Sequence, residues 1–204
     1  MRRDEFFTDE KKIIDEILDT VEVGYLGFNT PDGQPRVVPV NFVRVGETVY
    51  FHGASEGEKF ESLKVSDRVT FHANIPLAVI PSYWISVKSA GGATHFFKSV
   101  QIDGRAFTVG DLNEKADILQ KLMEKYQPEG GFKEITPDDK MYTNLLSRTA
   151  VTGIKPEQTT AKIKVGQNYP EARRRELVEK LEARGREIDK ITAEAVRETL
   201  NGGK

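Results

Sequence analysis

Between Val23 and His52 the chain alternates short apolar runs with tight turns, and this rhythm constrains the fold more than any other feature. Residues 23–28 (VGYLGF) end at Asn29, Thr30, Pro31, Asp32 and Gly33, a turn in which proline fixes φ and glycine accepts a positive one. Residues 36–43 follow, then a turn at Gly46 and a third run at 48–52. Three strands on connections this short read as an antiparallel meander. Pro39 lies inside the middle run. Lacking an N–H, it belongs on an edge, at a bulge, or where a ligand replaces the neighbouring strand.

The third run leads into VYFHGASEGEKFESL, residues 49–63. The chain breaks at Gly53 and restarts as a helix, and Ser55 precedes Glu58 by the three residues of a capping box. A helix start carries unpaired N–H groups and the positive end of the helix dipole, which suits an anion. Lys59 adds a cation there, and His52 would lie at the rim. The same residues also make an ordinary strand–turn–helix connection with a surface lysine.

Around this centre, residues 9–21 have the apolar spacing of an amphipathic helix with Thr8 as N-cap. Helices are expected at 56–65, at 113–126 with Asp111 and Glu114 as a capping pair, and from Pro137 to Leu146. Strands are expected at 68–73, 78–87, 95–109, 149–154 and 160–165, with 89–92 as a hairpin loop and a bend at Gly104. Residues 170–200 are charged and helical, split by Gly185, with a narrow stripe that includes Leu177, Val178 and Leu181. Arg173, Arg174 and Arg175 are flanked by acids and read as a solvated face. The fold class is α+β, an antiparallel barrel of six to eight strands with peripheral helices and a helical C-terminal tail. The expected division is a domain over 1–168 and an extension over 169–204.

Composition narrows the chemistry. The 204 residues include 30 basic and 32 acidic side chains, a net charge of −2 that argues against nucleic acid as the main partner. With no cysteine, thiol nucleophiles and thiolate metal sites are excluded. His52, His72 and His95 lie too far apart for a zinc-hydrolase motif, so no metal is expected. There is no glycine-rich dinucleotide fingerprint, Walker lysine loop or nucleophile elbow. No run approaches the roughly 18 apolar residues of a membrane span. The opening residues lack the apolar core of a secretory signal. A soluble cytoplasmic protein is the expectation.

The order of three segments, DGQPRVVPVNF at 32–42, VYFHGASEGEKFESL at 49–63 and FKSVQIDGRAF at 97–107, resembles the FMN-binding split-barrel family of pyridoxamine 5′-phosphate oxidase-like proteins. The resemblance covers about residues 1–165. It leans toward the flavin-nucleotide-binding and 5-nitroimidazole-reductase-like branch, in which an opening like Met1, Arg2 and Arg3 is usual. PSYW at 81–84, KIKVGQN at 162–168 and the helical tail look more like the neighbouring transcription-regulator-like branch.

The resemblance implies a split β-barrel, FMN as cofactor, and a homodimer whose two chains share each flavin. It places Arg36, Val37, Val38, Pro39, Val40 and Asn41 beneath the isoalloxazine. Phe51, His52, Gly53, Ala54 and Lys59 fall around the ring and phosphate, with Arg36 and Lys59 as the phosphate charges. Lys98 and Ser99 fall on a strand crossing the site. Trp84 and His95 are possible contacts from the partner subunit, set against a core or surface role. Glu58, where some relatives carry a base, is a departure. His52 could orient substrate or donate a proton, or its ring could simply pack on the flavin edge. The implied function is an FMN-dependent oxidoreductase acting on a small organic substrate. The alternatives are a non-catalytic flavin-binding or regulator-like split barrel, and a haem-binding one. Pyridoxamine phosphate oxidation itself is not expected, because no C-terminal arginine and histidine cluster for a substrate phosphate is evident.

Overall fold

A computed structural model describes residues 4–201, so the expectation on Met1, Arg2 and Arg3 lies outside the described residues. Among the described residues seven strands are present: β1 (Phe7–Thr8), β2 (Val23–Asn29), β3 (Pro35–Val45), β4 (Thr48–Ala54), β5 (Arg68–Ile80), β6 (Thr94–Thr108) and β7 (Thr149–Lys164). Six α-helices accompany them: α1 (Lys11–Thr20), α2 (Glu58–Val65), α3 (Leu112–Tyr126), α4 (Lys140–Arg148), α5 (Glu171–Arg184) and α6 (Glu187–Asn201). The sheet order is β1-β7-β4-β3-β2-β5-β6, and β7 also pairs with β6, which closes six of the strands into a ring. This is the α+β antiparallel barrel expected from the strand rhythm.

The β2–β3 meander forms in register from Val23↔Asn41 to Asn29↔Pro35. Pairing of β3 with β4 is much shorter, running only from Phe42↔Phe51 to Val45↔Thr48. Pro39 therefore pairs with Tyr25 on one side and stands on an unpaired edge on the other, where a missing N–H costs nothing.

Several expectations are corrected. The capping box does not form: α2 begins at Glu58, with Gly57 as N-cap at φ 104° and no side chain capping it. The turn needs a glycine at that φ, which leaves Ser55 two residues short of the N-cap position. Helix α4 starts at Lys140 rather than Pro137, because Asp139 accepts the Met141 N–H at 2.9 Å. Strands expected at 68–73 and 78–87 are one strand, β5, which runs through Pro76. Its pairing with β2 covers only Thr70, Phe71 and His72, so the proline meets no β2 partner. Residues 82–84 instead form a 3-10 helix. The two strands expected after Thr149 are also one, β7. At Gly104 the bend is a close backbone approach: a Cβ there would lie 2.3 Å from the Lys155 carbonyl oxygen.

The described residues divide into two compact units. The first holds residues 11–73 and 100–159. Its core joins Val43 and Val151 from β3 and β7, Val109 just past β6, and Leu119, Leu122 and Leu146 from the inner faces of α3 and α4. Phe42 and Phe71 meet edge to face at 4.8 Å. Around Phe42 the brace is polar: Tyr126 Oη accepts the Phe42 N–H at 2.8 Å and donates to the Glu22 carbonyl at 2.6 Å. Lys125 Nζ donates to the Leu18 and Val21 carbonyls at 3.0 and 2.8 Å, closing the end of α1. Burial pushes that ammonium down to about 8.

The second unit holds residues 4–10, 74–99 and 160–201. The stripe Leu177, Val178 and Leu181 is buried against Leu77, Ile80, Phe96 and Val196. Gly185, at φ 69°, ends α5 in the left-handed region and lets α6 fold back. Thr192 Oγ1 accepts the Ala78 N–H at 2.8 Å, fastening α6 to β5. Asp189 is fully buried and accepts Arg184 Nε at 2.9 Å, Arg186 Nε at 3.0 Å and the Arg186 N–H at 3.1 Å. The arginine triplet is only partly the solvated face expected. Arg175 pairs with Glu171 outside, but Arg173 donates to the Trp84 and Ile85 carbonyls and Arg174 to Thr199.

Hydrogen bonding from Arg184 holds the Asp189 carboxyl well below its ordinary value of 3.8. The stability it contributes is present above that value and is lost as pH falls below it, toward the folded-state value. Asp189→Asn is expected to cost about 3 kcal/mol in denaturant unfolding at neutral pH and to flatten the acid limb of the stability curve. An unchanged midpoint would show that the α5–α6 turn does not depend on this carboxylate.

Candidate functional site

The short β3–β4 pairing builds the site in the first unit. Beyond Phe42 the edge of β3 carrying Arg36, Val37, Val38, Pro39, Val40 and Asn41 has no β4 partner, while β4 continues along β7 as far as Ala54↔Thr149. Val40 is buried and Val38 half-buried. Val37 is 68% exposed, an apolar side chain beside an open backbone edge. Asn41 Nδ2 donates to the Glu22 carbonyl at 3.3 Å.

Across from this edge, the turn at Gly57 starts α2 and sets Lys59 in its first turn. Lys59 Nζ lies 5.0 Å from the ring centroid of Phe51, which is buried, and 3.3 Å from where a Cβ on Gly53 would stand. Ala54, which ends β4, is exposed. Burial lowers the Lys59 pKa. Among the described residues no carboxylate lies within ion-pair distance of it, since its neighbour Glu58 is turned to Arg36, with Nε 3.3 Å from both carboxylate oxygens. Both members of that pair are about half exposed, so it is worth at most about 1 kcal/mol and yields readily to a stronger ligand. Glu58 is thus the ion-pair partner of Arg36.

Strand alternation turns the His52 side chain to the face of β4 opposite Phe51 and Gly53, while Lys59 lies over Phe51. The two still sense each other. Partial desolvation first, and the Lys59 charge second, hold the His52 imidazole below its ordinary value. His72, on β5, is lowered by burial alone.

Four expected residues belong to the second unit. His95 Nε2 lies 2.8 Å from the Leu77 carbonyl; because a carbonyl only accepts, Nε2 is the protonated nitrogen. The Trp84 ring lies under Arg184 at 4.5 Å, and its carbonyl accepts from Arg173 and Lys180. Lys98 Nζ reaches Glu198 at 3.4 Å, and Ser99 is buried. Trp84, His95 and Lys98 are thereby tied to their own unit.

Sequence reasoning missed a cleft of about 420 Å³ that Arg36 shares with Arg68, Thr70, Asp103, Gly104 and Glu157. The bend at Gly104 was its only signal, since the cleft needs the β6–β7 approach that brings Glu157 alongside. Among the described residues no group of three or more His, Asp or Glu side chains could hold a metal ion, and no helix is long and apolar enough to cross a membrane.

These features define an antiparallel split barrel with a cationic helix start beside an open strand edge. The chain belongs to the pyridoxamine 5′-phosphate oxidase family, whose pattern matches residues 10–163. Among curated proteins none matches. Solved structures share the fold. The flavocytochrome Anf3 from Azotobacter vinelandii is 24% identical with a TM-score of 0.68, over 80% of this chain and 72% of that one. A candidate 5-nitroimidazole antibiotic resistance protein from Bacteroides thetaiotaomicron is 21% identical with a TM-score of 0.63, over 77% and 86%. The FAD and heme binding protein from Mycobacterium smegmatis is 16% identical with a TM-score of 0.60, over 78% and 73%.

The coupling between Lys59 and His52 is directly measurable. In Lys59→Gln the His52 pKa is expected to rise toward its ordinary value, followed by NMR titration of the imidazole protons. It should stop short of that value, because desolvation is the larger cause. An unmoved titration would place the lysine too far away to matter.

Proposed function

We propose that the protein is a flavin-binding oxidoreductase that takes FMN at the open β3 edge. The observation that carries this reading is Lys59: a half-buried ammonium with no carboxylate partner among the described residues, next to a strand edge with unpaired backbone groups. A buried charge without a counter-ion favours binding an anion, and a phosphate of charge near −2 supplies one. The family membership and the flavoprotein names of two structural neighbours point the same way.

In this reading Lys59 holds the phosphate, and Arg36 exchanges its surface pair with Glu58 for a second contact. The backbone edge from Val37 to Asn41 meets the polar rim of the ring, with Pro39 where no donor is wanted. Phe51, Gly53 and Ala54 shape the wall. When bound, the flavin supplies the electron transfer to or from a small organic substrate. His52, held neutral near pH 7, can accept or orient a proton at its ring nitrogens. We also propose a homodimer. Val23, Tyr25 and Val37 are 41%, 45% and 68% exposed, and the β2–β3 register lays them with Pro39 along one face that a second copy would cover. Trp84 and His95 are then candidates for partner contacts.

Fluorescence titration of the purified protein with FMN tests the reading. Saturable binding is expected, weakened about 10- to 100-fold in Lys59→Ala. An unchanged dissociation constant in the variant would place the phosphate elsewhere, and absence of binding would end the flavin reading. Light scattering should return twice the 22.9 kDa chain mass, and Tyr25→Glu should halve it. A native monomer contradicts the dimer.

A further inference from the structure

The second unit contains a larger cavity, of about 660 Å³, that the flavin reading does not use. We propose that it binds a small planar aromatic anion, of the class of aromatic carboxylates.

Aromatic and basic side chains share its walls. Phe96, Phe97 and Tyr169 line it together with Lys162, Lys164 and Asn168, and no aspartate or glutamate is among the lining residues. Lys162 and Lys164 are two apart on β7, so they project from the same face of the strand. Lys164 donates to Thr94 Oγ1, which fixes its direction. Lys162 Nζ stands 5.7 Å from the Phe97 ring centroid, and among the described residues no carboxylate lies within ion-pair distance of it. A cation beside an aromatic face, with an amide at Asn168 to orient a polar group, suits a ligand that stacks through its ring and anchors through its charge. The volume falls in the range of small-molecule sites.

The cavity is also kept open by sequence. Gly166 has φ 84°, and a Cβ there would come within 3.0 Å of the Phe96 ring. A Cβ on Gly92 would meet the Ile85 Cβ at 2.8 Å. Side chains at either position would force the wall to move. All of these residues lie within residues 84–97 and 162–169, so the proposal does not rest on the flavin reading.

The test is calorimetric titration of the purified full-length protein with 2-naphthoate as probe. One saturable site is expected. The neutral 2-naphthamide and the non-planar cyclohexanecarboxylate should each bind about tenfold more weakly or worse. Lys162→Gln should weaken naphthoate by a similar factor, and Lys162→Arg should restore it to within a few fold. Phe97→Leu should weaken naphthoate while leaving cyclohexanecarboxylate unchanged, which keeps the test decisive if Lys162→Gln proves unstable. FMN affinity should be the same in Lys162→Gln as in the native protein. The proposal is overturned by absence of saturable naphthoate binding, by equal affinity for the neutral amide, or by indifference to both substitutions. It is equally overturned by a parallel loss of FMN affinity, which would make the cavity part of the flavin site.

Discussion

The point at which β3 and β4 part company, at Phe42 and Phe51, is the constraint on which the candidate site depends. Up to that point the two strands make a hairpin; beyond it β4 follows β7, and residues 36–41 of β3 keep only β2 as a partner. The parting is held open by specific contacts. Tyr126 takes the Phe42 N–H, and Lys125 lies over the Phe42 ring at 3.8 Å while closing the end of α1. Helix α3 thus braces the strand where its pairing ends. The open edge is then available to a ligand, and Pro39 is the residue that such an edge tolerates and a paired strand does not.

Electrostatics give the edge its preference. Helix α2 opens on an acid and a base with opposite fates. Glu58 reaches Arg36 in a half-exposed pair of little worth, and Lys59 is left half-buried over Phe51 with no ion-pair partner among the described residues. Gly57 sets this division, because its positive φ starts the helix at Glu58 and leaves Ser55 outside it. A helix begun at Ser55 would have turned Glu58 back on its own backbone. On the proposed reading, an anion at Lys59 gains a charge-assisted contact and a second from Arg36 for a small loss.

Much of this was legible in the sequence, for identifiable reasons. The turns at 29–33 and 46 fixed the meander, the apolar spacing at 113–126 fixed α3, and Gly185 marked the end of α5. Strand boundaries were less legible where prolines interrupted a run. The runs 68–73 and 78–87, and 149–154 and 160–165, read as separate strands, whereas β5 and β7 each continue through the intervening residues, Pro76 and Pro156 included. The Ser55–Glu58 spacing suggested a cap that the φ of Gly57 forbids, and spacing alone carries no dihedral. His52 was read at the rim of the helix start, and strand alternation turns its side chain to the face of β4 opposite Phe51. The Arg36 cleft and the cavity beside Lys162 were not legible, because both are assembled from segments tens of residues apart.

A crystal structure of the protein grown with FMN tests the central claim most directly. The account predicts phosphate oxygens within hydrogen-bond reach of Lys59 Nζ, Arg36 released from Glu58, and the flavin ring along the β3 edge at Pro39. Flavin bound elsewhere, with the Arg36–Glu58 pair intact and the β3 edge bare, would contradict it.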